Sequence, residues 1–266
     1  MRLVYRFALL LKRLFIGIVL VVIWLAVYNI IFSAIIIERH YIVGSLVLWI
    51  LTAYLFLPRS HRRLSRLYLP DYFSGRVRTS DGLLGDPVNL GVVGTKKELV
   101  HAMKQAGWYQ AEDVTLRSSW KIVKYTLLKK SYKTAPVSPL FLFGNKQSLA
   151  FQQEVNGNPA QRHHVRFWKT PGGWFLPGGH KVNWLGAATF DTNVGFSLFT
   201  LQITHKIAEN TDDERDYVTK TITKHNANAS CTVIKHFSTG YHHRNGGGDR
   251  IKTDGSLPII TLDISS

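Results

Sequence analysis

The densest set of reactive side chains in this 266-residue chain is the run Gln161 to Lys169, QRHHVRFWK. As a β-strand it would turn Arg162, His164, Arg166 and Trp168 to one face and His163, Val165 and Phe167 to the other. Same-face neighbours on a strand lie about 7 Å apart, so two guanidinium groups would straddle one imidazole and could embrace a phosphate or a carboxylate. If the arm Asn183 to Phe190 folds back with Lys169 near Asn183, Asp191 falls beside Arg162. His205, after an apolar stretch from Gly195 to Ile203, adds a donor or a base with an unperturbed pKa of about 6.5. Arg117 would sit in the first turn of a helix that Thr115 can cap, where free backbone N–H groups and the helix dipole favour an anion. Arg117, Arg162, His164, Arg166 and His205 are therefore the candidate ligand-binding residues, and His164, His205 and Asp191 the candidate catalytic ones. A structural Arg to Asp salt bridge, with His163 satisfied in the core, explains the members singly; the set is what suggests a site.

Other chemistries fit less well. His163, His164, His205 and Asp191 are ligand types that zinc accepts, but adjacent histidines on a strand point apart and no CxxC or HExxH spacing is present, so no metal site is expected. Asp249 and Asp254 lie among glycines in RNGGGD and TDG, where tight turns with Asp bonding back to the local backbone account for them. Ser118, Ser119 and Cys231 have no GxSxG elbow or base spacing around them, which argues against a serine or cysteine hydrolase. DDERD suits a helix N-terminus capped by Asp212 or Asp213, with Glu214 and Asp216 also to be weighed as partners of the Arg cluster. The lone Cys231 has no internal disulfide partner, in keeping with a reducing compartment. No cofactor follows from the residues.

The elements that must hold this cluster begin with two apolar runs, Leu14 to Ile37 and Tyr41 to Leu57, parted by Glu38, Arg39 and His40. At the helical rise they would reach about 36 Å and about 25 Å against a hydrocarbon core of about 30 Å. They read as a transmembrane hairpin anchor within residues 1–70. A cleaved signal peptide would have a shorter core and a small-residue cleavage site. Arg2, Arg6, Lys12 and Arg13 precede the first span, and Arg59, Arg62, Arg63 and Arg66 follow the second. The positive-inside bias then puts both termini in the cytoplasm of a two-pass protein of the cell membrane. The spans contain no Asp, Glu, Lys or Arg, which argues against transport. Asn29 and Ser33, one turn apart, suggest hydrogen bonds between the helices.

Residues 71–266 are long enough for one soluble domain with a single core. The first 70 residues hold 9 Lys plus Arg against 1 acid and the remainder 24 against 16, so each part carries +8. Attraction to anionic lipid headgroups explains this excess without a nucleic acid. Pro87 to Val93 reads as a strand, and Thr95 then caps a helix to about Gln105 that stops at Gly107. A second, basic helix would run from Thr115 to about Lys130. Leu140 to Phe143 and Leu149 to Gln153 are strand-like, as is the hairpin His163 to Lys169 with Asn183 to Phe190, and Gly195 to Ile203 would add another strand. Asp212 to His225 reads as a helix, and Thr232 to Phe237 and Leu257 to Leu262 as closing strands. The class is α+β with a mainly antiparallel sheet and about three helices.

Several motifs recur in one order: DPVNLGVVGTKKELVHAMKQAGW, TLRSS, YKTAPVSPLFLFG, QRHHVRFW, WLGAATFD, THKI with DDERD, and RNGGGD with TDG. Together, over roughly residues 86 to 256, they resemble the LssY C-terminal domain. That family occurs in bacterial membrane proteins, often beside DedA-type transmembrane or type 2 phosphatidate phosphatase domains, so the resemblance implies a membrane and lipid-phosphate setting by association. This chain has no phosphatase module, and the neighbours' activity does not carry over. The expected function is binding of an anionic, phosphate-bearing lipid or headgroup at the cytoplasmic membrane surface, with membrane lipid as partner. Two alternatives use other chemistry: a phosphoester hydrolase with a His/Asp site, metal-assisted or not, and an assembly factor that docks a membrane-protein partner.

Overall fold

The computed structural model describes residues 41–68, 73, 75–112, 132–155, 158–238 and 241–263, together with ten helical positions between Ile18 and Ser33. A long helix opens the continuous part. It comprises α1 (Tyr41–Ile50), a π-helical segment (Leu51–Phe56) and α2 (Leu57–Tyr68). Its stretch Ile42–Leu64, 23 residues, is the one helix among the described residues that is long and apolar enough to cross a membrane. The expected two-helix hairpin is thus not established by these elements. The Asn29 amide, read as an interhelical donor, instead donates to Leu25 O on its own helix at 2.9 Å.

Pro58 leaves one acceptor of the π segment without a donor. Leu57 N–H donates to Thr52 O, the i to i+5 register. In that register Ala53 O would take its hydrogen from residue 58, and proline has none to give. The orphaned carbonyl is met from the far end of the chain, where Gln202 Nε2 donates to it at 2.9 Å.

The remainder is an α+β domain. Its larger sheet runs in the order β11 (Ser230–Ile234), β14 (Leu257–Thr261), β3 (Leu90–Val93), β9 (Trp184–Phe196), β8 (Asn158–Lys169), β7 (Leu149–Val155) and β4 (Tyr109–Gln110), with β10 (Ile203–Ile207) also paired to β9. Only β14 with β3 is parallel among the described pairs. A smaller sheet orders β2 (Leu84–Pro87), β1 (Arg76–Thr79), β5 (Leu140–Leu142) and β6 (Asn145–Lys146), and β12 (Tyr241–Arg244) pairs with β13 (Arg250–Thr253).

Two helices pack on one face of the larger sheet. Thr95 caps α3 (Lys96–Gln105) in a reciprocal box with Glu98, and Gly107, at φ +80°, follows its end. The cap of α4 (Thr211–His225) is Asn210, which accepts from Asp212 N–H, rather than Asp212 or Asp213. Leu99, Met103, Val218 and Ile222 from these helices meet Phe151, Val165 and Phe167 of the sheet in one core. On the opposite face Trp168, Leu185 and Ala187 meet Val77, Leu140 and Leu142 of the smaller sheet in a second core. β8 alternates between the two, as its sequence requires.

Three boundaries differ from the sequence reading. Pro87 to Val93 is not one strand: β2 ends at Pro87 in the small sheet and β3 begins at Leu90 in the large one. The buried Asn89 makes the crossover, exchanging side-chain hydrogen bonds with the Ala188 backbone. Gly195 belongs to β9 and Ile203 to β10, with a turn between them closed by Leu201 N–H to Ser197 O, so Gly195 to Ile203 is a hairpin tip and not a strand. The expected helix from Thr115 lies outside the described residues.

Candidate functional site

β8 supplies the floor of the site. Its alternation turns Arg162, His164 and Arg166, all buried, away from the α3/α4 core. His163 faces the other way, where its Nδ1 lies 2.6 Å from Glu214 Oε2 and its ring stacks on Tyr217. Register then selects the partners. Arg162 is opposite Asp191 on β9, His164 opposite Thr189, and β10 brings His205 alongside.

The result is one connected charge cluster. Arg162 Nε donates to Asp191 Oδ2 at 2.9 Å, and its Nη1 to Gln152 Oε1 at 3.0 Å. Arg166 Nη1 donates to His164 Nε2 at 2.7 Å and lies 3.4 Å from Asp86 Oδ2. A guanidinium can only donate, so His164 Nε2 accepts and the neutral ring carries its hydrogen on Nδ1. That Nδ1 is 3.1 Å from Asp191 Oδ1, close enough for ionic contact but not aligned as a hydrogen bond. His205 Nδ1 lies 3.6 Å from Asp191 Oδ2.

Burial opposes charge on each of these groups, and the neighbours decide how it resolves. Burial would raise the Asp191 carboxyl, but the adjacent His164, and then Arg162 and His205, outweigh it and hold the group well below the usual carboxylate range. His205 is pushed down to about 4, first by burial and then by the guanidinium groups of Arg162 and Arg166, against the pull of Asp191. Burial likewise lowers His164 and Arg166. At neutral pH the cluster therefore pairs two guanidinium groups with two carboxylates and keeps both imidazoles uncharged.

A cavity of about 450 Å³ opens over this floor. Its walls come from Ser80 and Asp86 of the β1–β2 region, Pro136 to Leu140, Ser197, Thr200 and Gln202 of the β9–β10 turn, and the glycine loop at Asn245. In that loop Asn245 Oδ1 accepts from both Gly247 and Asp249 N–H. Asn245, not Asp249, makes the local turn; Asp249 instead pairs with Lys206 at 2.9 Å. Asp254 does bond back locally, to Ser256 N–H, and also pairs with Arg215.

Of eight buried side-chain polar atoms without a hydrogen-bond partner among the described residues, five belong to this cavity: His164 Nδ1, Arg166 Nε, Asp191 Oδ1, His205 Nδ1 and Asp249 Oδ2. Native interiors pair nearly all such groups, so their concentration in one place sets this cavity apart from the rest of the described interior.

The structure thus brings Arg162, His164, Arg166, Asp191 and His205 to one cavity, whereas Arg117, Ser118 and Ser119 lie outside the described residues. Glu214 and Asp216 are not partners of the Arg cluster: the first serves His163 across the sheet and the second pairs with Arg215. Cys231 is exposed on the edge strand β11. No three His, Cys, Asp or Glu side chains among the described residues are arranged to hold a metal ion. Sequence reasoning missed Asp86, Thr189 and Gln152. Gln152 was detectable as a polar residue at an alternating strand position; Asp86 reaches the site from a different sheet, which no local pattern discloses.

No curated protein and no solved structure matches the chain. The model of the LssY C-terminus, however, matches residues 66–257, from the end of α2 to the start of β14, and so spans every strand and loop that builds the cavity. With well over half of its length matched, this chain belongs to the LssY C-terminus family.

Proposed function

We propose that the domain binds a phosphate-bearing lipid headgroup, presented by the cytoplasmic face of a cell membrane, in the cavity above Arg162 and Arg166. The observation that carries the reading is the cavity's composition: two buried guanidinium groups, one with an unpaired Nε, beside two imidazoles kept neutral but able to take a proton. An arriving phosphate would compete with Asp86 for Arg166 and would offset the electrostatic cost of charging His205. The rim supports a membrane setting, since Arg62 Nε donates to Ser80 O at 2.7 Å and Gln202 reaches Ala53 on the helix long enough to cross a bilayer. Trp24 of the first apolar run stacks on Phe56 with ring centroids 5.0 Å apart, which favours a two-span hairpin, and the basic flanks of both runs favour cytoplasmic termini.

Native mass spectrometry of the full chain released from mild detergent tests this. A phospholipid retained by the wild type and lost in a folded Arg166→Gln variant is the expected result. Equal retention by both, or none by either with a protein partner in its place, would overturn the reading in favour of docking.

One observation favours a second reading. His205 is neutral, its side chain 36% exposed, and it is backed by Asp191, the arrangement of a general base. In phosphomonoester hydrolysis it would take a proton from water as the water oxygen bonds to phosphorus and the ester P–O bond breaks, the leaving alkoxide being protonated from solvent. Inorganic phosphate released from a short-chain phosphatidate, abolished in His205→Ala while binding persists, is the outcome that reading requires.

A further inference from the structure

The hairpin joining β9 to β10 is built inside out. Its polar members Ser197 and Thr200 are buried, at 4% and 3% exposure. Thr200 N–H donates to Ser197 Oγ, and Ser197 Oγ donates to Gly246 O. Its apolar members beyond the cavity point outward instead: Phe196, Leu198, Phe199 and Leu201 are exposed, from 41% at Phe199 to 63% at Leu198. Leaving so many large side chains in water forfeits about 25 cal/mol for each Å² of apolar surface, and contiguous patches of this kind mark a surface meant to be covered.

What lies beside the patch identifies the cover. The tip is fastened to the long helix at three points. Trp49 Nε1 donates to Leu201 O at 3.2 Å and its ring meets Phe196 edge-on, Gln202 Nε2 donates to Ala53 O, and His61 Nε2 lies 2.8 Å from Phe199 O. The apolar patch therefore continues into the exposed helix residues Leu46, Val47, Ile50, Tyr54 and Leu55. Just beyond it begins the basic collar, with Arg59, Arg62 and Arg63 exposed. Ala53 lies six residues before Arg59, about 9 Å along the helix axis, the depth to which interfacial segments sink below the headgroups.

We infer that the β9–β10 tip is a membrane-penetrating wedge: Phe196, Leu198, Phe199 and Leu201 enter the acyl boundary of the bilayer beside the helix. Arg62 and Arg63 then stand at headgroup level. The wedge is rigid, because Leu198 packs against Gly248, where any added Cβ would approach its side chain to 2.6 Å, and Leu198 N–H donates to Gly247 O. Its buried side is a wall of the cavity, so insertion would bring the cavity to the level of the lipid phosphates. The inference does not require the cavity to hold a headgroup, and the two can fail separately.

The test is a depth measurement on the full chain in phosphatidylcholine and phosphatidylglycerol nanodiscs. In a Cys231→Ser background, Leu198→Cys and separately Phe196→Cys are labelled with an environment-sensitive fluorophore, and the wild-type Cys231 carries the same label as the aqueous reference. Quenching by lipids bearing a nitroxide near the head of the acyl chain should be severalfold stronger at 198 and 196 than at 231, with a blue-shifted emission. Equal quenching at all three positions overturns the inference. So does a blue shift without lipid quenching, the mark of a second protein copy or partner covering the tip.

Discussion

At the residue scale, the central fact is that Asp191 answers three cations or potential cations at once. Removing it strands Arg162 in a buried position with its charge uncompensated, so Asp191→Ala should destabilise the fold by about 3–5 kcal/mol in a denaturant titration. The pH dependence of the cluster follows from His164, His205 and Asp191, all lowered, whose signs agree. His205 titrates at about 4 in the folded protein and at about 6.5 in an unfolded chain, so between those values the unfolded state binds the extra proton and stability falls as the pH is lowered. The depressed carboxyl of Asp191 contributes stability above the unfolded value that is lost as pH falls further, through its folded value. His205→Ala should therefore make the stability profile less steep between about pH 4 and 6.5, with the contribution of His164 remaining, read as a smaller loss of Tm on acidification than in the wild type. An unchanged profile would show that His205 titrates normally.

At the element scale, the π segment and the β9–β10 hairpin are one device, because the missing N–H of Pro58 leaves a carbonyl that only Gln202 fills among the described residues. Gln202→Leu should cost about 1–3 kcal/mol by leaving Ala53 O buried and unpaired, and the loss should be smaller in Pro58→Ala, where residue 58 regains a donor. A double-mutant cycle on thermal unfolding in detergent checks this; additive effects would dissociate the two elements. Strand β8 shows how far local pattern reaches. Its alternation was legible because period two is a property of the extended chain itself, and the same argument separated His163 from His164 correctly. The break between β2 and β3 was not legible. Seven apolar-rich residues from Pro87 to Val93 satisfy a strand pattern, and only the buried hydrogen bonds of Asn89 to a strand a hundred residues away decide that the chain changes sheets there.

At the scale of the whole molecule, ligand binding and protonation should be coupled. A phosphate placed over Arg166 favours the charged form of His205, so affinity should rise as pH falls from neutral toward the free-state value of about 4. The stabilisation of Tm by a saturating short-chain phosphatidylglycerol, whose phosphodiester keeps one charge throughout, should accordingly be larger at pH 5.5 than at pH 8, and a pH-independent shift would mean that His205 does not face the ligand. Legible in the sequence were the apolar runs with their basic flanks, the family, the α+β class and, once a hairpin register is assumed, the pairing of Arg162 with Asp191, because each of these depends on periodicity, composition or the register of one hairpin. Tertiary structure alone decided that Asp86 from the small sheet and His205 from the next hairpin meet β8 over one cavity. It also decided that Phe196, Leu198, Phe199 and Leu201 present their side chains outward beside the long helix. Contacts between segments distant in sequence depend on how two sheets and a helix pack, and no local spacing encodes that packing.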